Sequence, residues 1–187
     1  MRNSFATEIT KLAYKNKKIV LLSGDIGNRL FDNFRKLNKN RFYNCGIAEA
    51  CMTGIASGIA SSGLLPIPYT ITPFNTMRCL EQIKLDICYP NLPVIIVGTG
   101  SGLSYASLGS THHSLEDIAI LRSIPNMNIL CPSDPTEVKK LLRDALKIKK
   151  PVYIRLGKKN EPNFYKRKKF GLMHKIHKGK KNCLINV

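Results

Sequence analysis

The chain has 187 residues, enough for one domain with a full core, and 43% of them are hydrophobic. Its formal charge of +18 is concentrated: residues 147–187 hold 14 basic residues and one acid, Glu161, whereas residues 1–146 hold 16 basic and 11 acidic residues. A basic excess confined to a tail, with few aromatics to stack on bases, argues against a dedicated nucleic-acid binder, and no run approaches the roughly 20 apolar residues a membrane helix needs.

The N-terminus lacks the apolar run of a secretory signal, so a cytoplasmic protein is expected. Cys45, Cys51, Cys79, Cys88, Cys131 and Cys183 form no CxxC pair and no zinc-type spacing. They read as reduced thiols, several of them in apolar segments.

In chain order, Phe5, Ile9, Leu12 and Ala13 recur at helical spacing and predict an amphipathic helix over residues 4–16. Ile19 to Leu22 is a short apolar run closed by Ser23-Gly24-Asp25, a buried strand and a turn. A short helix is expected from Phe31 to Leu37 and a strand from Arg41 to Asn44. Gly46 precedes a helix of small residues from about Ile47 to Ser62. Ile67 to Thr70 reads as a strand, and Thr76 to Cys88 as a helix ended by Pro90 and Pro93. Val94 to Val97 is the clearest strand, followed by a Gly/Ser-rich loop over residues 98–111. A helix from Leu115 to Arg122, a strand from Asn128 to Cys131, a helix from Pro135 to Lys147 and a strand from Val152 to Leu156 complete the series. Alternating helices and doubly apolar strands call for an α/β fold, a parallel β-sheet with helices on both faces. Ligands then bind beyond the carboxyl ends of the strands, where the loops at 23–29, 44–49, 70–76 and 98–114 gather. From residue 161 the chain is basic and weakly periodic, a linker in character, and Asn182 to Val187 resembles an opening strand.

Glu49 stands in the first turn of a helix directly after a strand, in Gly46-Ile47-Ala48-Glu49-Ala50. By itself that position also suits an acid that only complements the helix dipole. The other loops change the weighing. Gly46 to Ala50 resembles the segment carrying the activating glutamate of the transketolase family, and the likeness continues in order. Leu22 to Asp25 resembles the family's first acidic turn, and Arg78 to Ile83 its pyrimidine-side helix. Gly109-Ser110-Thr111-His112-His113-Ser114-Leu115-Glu116-Asp117 resembles its threonine–histidine loop. Ile124-Pro125-Asn126, Pro132-Ser133-Asp134 and Tyr153-Ile154-Arg155-Leu156 follow in the family's sequence. The likeness covers residues 2 to about 162, and its strength lies in the ordered series.

The resemblance implies the pyrimidine-binding domain of a thiamine-diphosphate enzyme over residues 1–160, with residues 161–187 a basic linker and the start of a truncated third domain. It implies that Glu49 hydrogen-bonds the cofactor's aminopyrimidine ring, so that the cofactor's own amino group can take the thiazolium proton. Phe74 is the candidate aromatic that stacks on the pyrimidine, the alternative being core filler, and Arg78 belongs to the same cofactor-binding helix. Asp25 is either an active-site acid near the cofactor or a turn residue bonding its own backbone. His112 is expected to face substrate as a proton donor or acceptor, with loop capping as the alternative. His113 and Lys158 are the further substrate-binding candidates, Lys158 near a phosphate-binding cation of the family or else a solvated lysine.

No Gly-Asp-Gly pyrophosphate signature occurs, since Gly24-Asp25-Ile26 has the wrong third residue, and Gly98 to Leu103 is not a GxGxxG fingerprint. The magnesium ion and the diphosphate would therefore be held by a pyrophosphate-binding N-terminal transketolase-like subunit. A homodimer or a dimer of heterodimers is expected, acting on a small sugar substrate. Two positions depart from the family pattern: Leu108 stands where sugar-phosphate enzymes carry an acid, and Gly100 where they carry a histidine. The sequence thus favours transfer of a two-carbon ketol unit between sugars or sugar derivatives. It leaves open a deoxyxylulose-phosphate synthase-like subunit, a 2-oxoacid dehydrogenase β-like subunit, and a truncated non-catalytic pairing domain.

Overall fold

The computed structural model describes residues 1–158 and 161–163. Six strands form one parallel sheet: β1 (Ile19–Ser23), β2 (Phe42–Asn44), β3 (Leu65–Ile71), β4 (Ile95–Thr99), β5 (Asn128–Leu130) and β6 (Val152–Leu156). Their spatial order is β2-β1-β3-β4-β6-β5. Every pairing is parallel, so the apolar runs need cover on both faces.

Two core clusters supply it. One packs α1 (Arg2–Lys15), α2 (Asp32–Leu37) and α7 (Pro135–Ile148) on the sheet through Phe5, Ile9, Phe31, Phe34, Val138 and Leu142. The other packs α3 (Glu49–Ser61), the helical segment 72–88 and α6 (Asp117–Arg122) through Met52, Ala56, Cys79, Ile83, Ile87 and Leu121. None of the helices among the described residues is long and apolar enough to cross a membrane.

Two motifs read from sequence turn out to be structural. Asp134 caps α7, its Oδ1 accepting from the backbone N–H groups of Thr136 at 2.8 Å and Glu137 at 2.7 Å. Asn126, at φ +69°, donates from Nδ2 to the Cys88 carbonyl at 3.0 Å and ties the loop before β5 to the end of segment 72–88.

The structure revises the sequence reading at three places. Strand β3 starts at Leu65, not Ile67, and carries Pro66 and Pro68 between two neighbouring strands. The prolines are tolerated because β4 pairs only with Tyr69 to Ile71, beyond them. Ahead of that pairing, buried Asn75 fills the gap, donating from Nδ2 to the Pro68 carbonyl at 3.1 Å and the Val97 carbonyl at 3.0 Å. The predicted helix from Thr76 to Cys88 is broken up, and segment 72–88 as a whole is four short pieces. These are α4 (Thr72–Asn75), a 3₁₀ turn (Met77–Cys79), α5 (Leu80–Gln82) and a π-helical stretch (Ile83–Cys88), with Thr76 out of helical geometry at φ −126°, ψ −80°. Helix α3 begins at Glu49 itself, after Gly46 turns the chain at φ +68°. The expected strand from Asn182 to Val187 lies outside the described residues, as does the linker beyond residue 163.

Strand order reverses direction around β1, with β2 on one side and β3 on the other. The chain leaves β1 toward α2 on one face and β3 toward segment 72–88 on the other, the arrangement that puts ligands at the carboxyl edge of such sheets. The residues singled out above stand on connections that leave this edge.

Candidate active site

Glu49 opens α3 yet is only 2% exposed. Its seat is made by the turn after β1. A Cβ on Gly24 would lie 3.0 Å from the Thr70 side chain and 3.3 Å from Glu49 Cγ, so a glycine there lets the β1 turn close over the carboxylate stem. Buried Thr53, one turn along α3, donates to the Glu49 carbonyl at 2.9 Å. Nearby Cys79 has its thiol pushed up, mainly by burial and also by the charge of Glu49.

A buried carboxylate needs a counter-charge. Arg78 supplies it: Nη1 donates to Glu49 Oε2 at 2.7 Å. The broken helix explains how Arg78 gets there. The 3₁₀ turn at Met77 to Cys79 turns Arg78 back over the preceding Phe74, with the guanidinium carbon 4.2 Å from the ring centroid. Phe74 also meets His112, the rings 5.1 Å apart and at 71°. His112 also packs on Tyr105 at 5.7 Å, and Tyr105 carries the Lys158 ammonium 4.0 Å from its centroid. Five of the seven sequence candidates thus stand in one unbroken series of contacts: Glu49, Arg78, Phe74, His112 and, through Tyr105, Lys158.

The remaining two face elsewhere. Asp25 is exposed at φ +53°, its Oδ1 accepting from Asn44 Nδ2 at 3.0 Å while its N–H donates to Asn44 Oδ1 at 3.2 Å. Asn44 Oδ1 accepts from the Gly46 N–H as well, so the Asp25–Asn44 pair joins the turns after β1 and β2. His113 turns into its own loop, with Nε2 3.4 Å from the Ala106 carbonyl. Thr111 Oγ1 lies 2.9 Å from His112 Nδ1, so one ring nitrogen is held by its neighbour and Nε2 is left for other partners.

Tyr105 escaped the sequence reading, although an aromatic in a Gly/Ser loop is itself a signal. It also explains one departure from the family pattern. Gly100 sits at φ +74°, and a Cβ there would fall inside the Tyr105 ring. No histidine can occupy that place while Tyr105 fills it. Leu108, the other departure, is exposed and presents no polar group.

Tyr153, Asp117 and Arg155 form a second cluster that the sequence reading did not assemble. Asp117 Oδ2 accepts from Tyr153 OH at 2.7 Å and Arg155 Nε at 2.8 Å. Burial and the adjacent Asp117 charge push the Tyr153 phenol well above its ordinary range. Among the described residues, no group of three or more His, Cys, Asp or Glu could hold a metal ion.

Residues 1–163 match the family model for the transketolase pyrimidine-binding domain. The chain belongs to that transketolase family. It is 37% identical over 186 residues to one of the subunits of the apulose-4-phosphate transketolase of Phocaeicola vulgatus, covering 99% of this chain and 58% of the relative. It is 32% identical over 157 residues to a 6-deoxy-6-sulfo-D-fructose transketolase subunit of a Clostridium species, covering 83% and 49%. Among solved structures, a split-gene transketolase in an inactive beta4 tetramer superposes with a TM-score of 0.78 at 34% identity, covering 88% of this chain and 53% of that one. The chain thus spans about half the length of the transketolase relatives it matches, and its fold is the family's pyrimidine-domain sheet.

Proposed function

We propose that this chain is the pyrimidine-side subunit of a split, thiamine-diphosphate-dependent transketolase, moving a two-carbon ketol unit between sugars or sugar derivatives. The observation that carries the reading is the buried Glu49 carboxylate at the carboxyl edge, in contact through Arg78 with the face of Phe74. A shielded acceptor beside an aromatic face suits an aminopyrimidine, which offers a ring nitrogen to protonate and a flat face to stack. When bound, thiamine diphosphate supplies an acidic thiazolium carbon that becomes a nucleophile and electron sink.

This chain's own residues then divide the work. Glu49 holds a proton at the pyrimidine ring nitrogen from a rigid helix start that excludes water. Phe74 provides the stacking face, and Arg78 supplies the counter-charge that keeps Glu49 buried. His112 stands beside Phe74 with Nε2 available to give or take a proton at a substrate hydroxyl or carbonyl. Lys158, on the far side of Tyr105, is placed to meet an anionic end of the substrate. Phosphorylated and sulfonated sugars named for two relatives share such an end. With Gly100 bare and Leu108 apolar, the donor sugar is read by fewer polar contacts than in sugar-phosphate enzymes of the family pattern.

The diphosphate and its magnesium ion require a second half-site, which we assign to a pyrophosphate-binding N-terminal transketolase-like subunit. Ile47 at 80% exposure and Met77 at 50% stand beside the catalytic residues in sequence and offer that partner apolar surface. A homodimer or a dimer of heterodimers would then form the complete enzyme.

Calorimetric titration of thiamine diphosphate with magnesium into this chain plus its partner tests the reading, with Glu49→Gln alongside. The wild-type pair is expected to bind the cofactor and to exchange its C2 proton. Glu49→Gln should still form the pair but lose that exchange by about 100-fold or more, the span of general acid–base catalysis. A pair that forms but binds no cofactor would reduce the chain to a non-catalytic pairing domain.

A further inference from the structure

Asp117, the first residue of α6, is fully buried at 0% exposure. One of its oxygens serves Arg155 and Tyr153; the other, Oδ1, has no hydrogen-bond partner among the described residues. A buried ion pair with an unsatisfied oxygen gives little stability over an apolar set of the same volume, so its presence points to a geometric role.

That role is visible at the other end of the arginine. With Nε fixed on Asp117 Oδ2, Arg155 Nη2 reaches the Ser114 carbonyl at 3.3 Å. Ser114 already exchanges two backbone hydrogen bonds with Gly102, at 2.9 and 3.0 Å. These two residues close the base of the excursion that carries Tyr105 and His112. A second tie comes from β6, where the Leu156 carbonyl accepts from the Ser101 N–H at 3.1 Å and its hydroxyl at 3.0 Å. Above the clamp the loop holds itself by local turns, such as His112 N–H to the Gly109 carbonyl at 3.1 Å. The register of His112 against Phe74 is therefore set at the base, two residues away.

We propose that Arg155, fixed by Asp117 and Tyr153, is a positioning residue: it locks the Gly102–Ser114 closure and so holds His112 against Phe74. An arginine is required because one side chain must donate in two directions at once. Nε binds the carboxylate while Nη2, part of the same rigid fork, binds the carbonyl. A lysine keeps the charge but has a single nitrogen. The consequence for catalysis rests on the reading of His112 given above, whereas the clamp itself belongs to this chain alone.

Arg155→Lys separates the two. In the full chain, hydrogen exchange by NMR should show the Gly102 and Ser114 amides exchanging about tenfold faster or more. The β4 and β6 amides and the thermal midpoint should stay near wild type, because the ion pair with Asp117 survives. Tyr153→Phe, which removes one donor to Asp117 but leaves Arg155 in place, should loosen the same two amides less. Wild-type protection of Gly102 and Ser114 in Arg155→Lys would overturn the proposal. So would a uniform rise in exchange across the sheet, which marks a merely structural role. In the paired enzyme Arg155→Lys should lower kcat while cofactor affinity is unchanged. If the exchange pattern is as expected but the wild-type pair is inactive, the clamp stands and the transketolase reading falls.

Discussion

Glu49 and Arg78 illustrate how one buried charge dictates its surroundings. The carboxylate is enclosed while the guanidinium is about half exposed, at 45%. Arg78→Met would keep an apolar stem over Phe74 and strip the counter-charge. Breaking a fully buried pair costs ~3–5 kcal/mol, and solvent screening of the exposed arginine reduces the expected loss here to about 1–2 kcal/mol. Urea unfolding of wild type, Arg78→Met, Glu49→Gln and the double variant would measure it. The double variant should recover most of the loss, since no unpaired charge remains; an additive cycle would mean the two side chains are not coupled. Much of this was legible in the sequence, because Glu49 and Arg78 lie within family-like segments. Their direct contact was not, because it depends on the 3₁₀ turn at Met77 to Cys79, which periodicity reads as ordinary helix. Tyr105 and the Asp117–Arg155 pair were missed for a related reason: their partners are far away in the chain, or across a loop with no period.

Segment 72–88 shows the same dependence at the level of elements. The apolar spacing reads as one helix from Thr76 after a loop, but four short pieces place Phe74, Asn75 and Arg78 in three different directions. A regular helix could not present Asn75 to the sheet and Arg78 to Glu49 together with Phe74 beneath it. Asn75 also ties the proline-bearing part of β3 to β4, since its amide donates to a carbonyl on each strand. Asn75→Leu removes both donations, one to the Pro68 carbonyl and one to the Val97 carbonyl. The expected cost is about 2 kcal/mol, from two lost hydrogen bonds at about 1 kcal/mol each. Guanidinium unfolding at constant m-value would check it; a change below experimental error would mean water replaces the amide. The parallel sheet and its two-faced packing were legible as a class, because continuous apolar runs can only serve a doubly covered sheet.

For the whole molecule, the sheet interior sets the response to alkali. Burial pushes the Cys88 thiol from 9.0 up to about 11, and the buried phenols of Tyr69 and Tyr153 are raised as well. Each of these acids holds its proton more tightly folded than unfolded. Between the unfolded and folded values the native state binds more protons, so stability falls as pH rises. The contribution is fully present below pH 9, is lost through about pH 11 for Cys88, and amounts to on the order of 2 kcal/mol from that thiol. Thermal midpoints followed from pH 7 to 11 should hold to about pH 9 and then decline. In Cys88→Ala the decline should be shallower with its onset still near pH 9, because burial also raises the thiols of Cys45, Cys79 and Cys131. An unchanged slope would assign the effect to other groups.

Composition and periodicity by themselves determined a parallel α/β sheet, and the ordered loop segments determined the family and five residues that meet in the site. Local chemistry sufficed there, because strand apolarity, caps and turn residues act on near neighbours in the chain. Only the tertiary structure decided which carboxylate is enclosed, that Tyr105 closes the space over Gly100, and that Arg155 bridges Asp117 to the Ser114 carbonyl. Those outcomes depend on side chains from separate strands arriving at one edge, and the distances among them are set by sheet order and register.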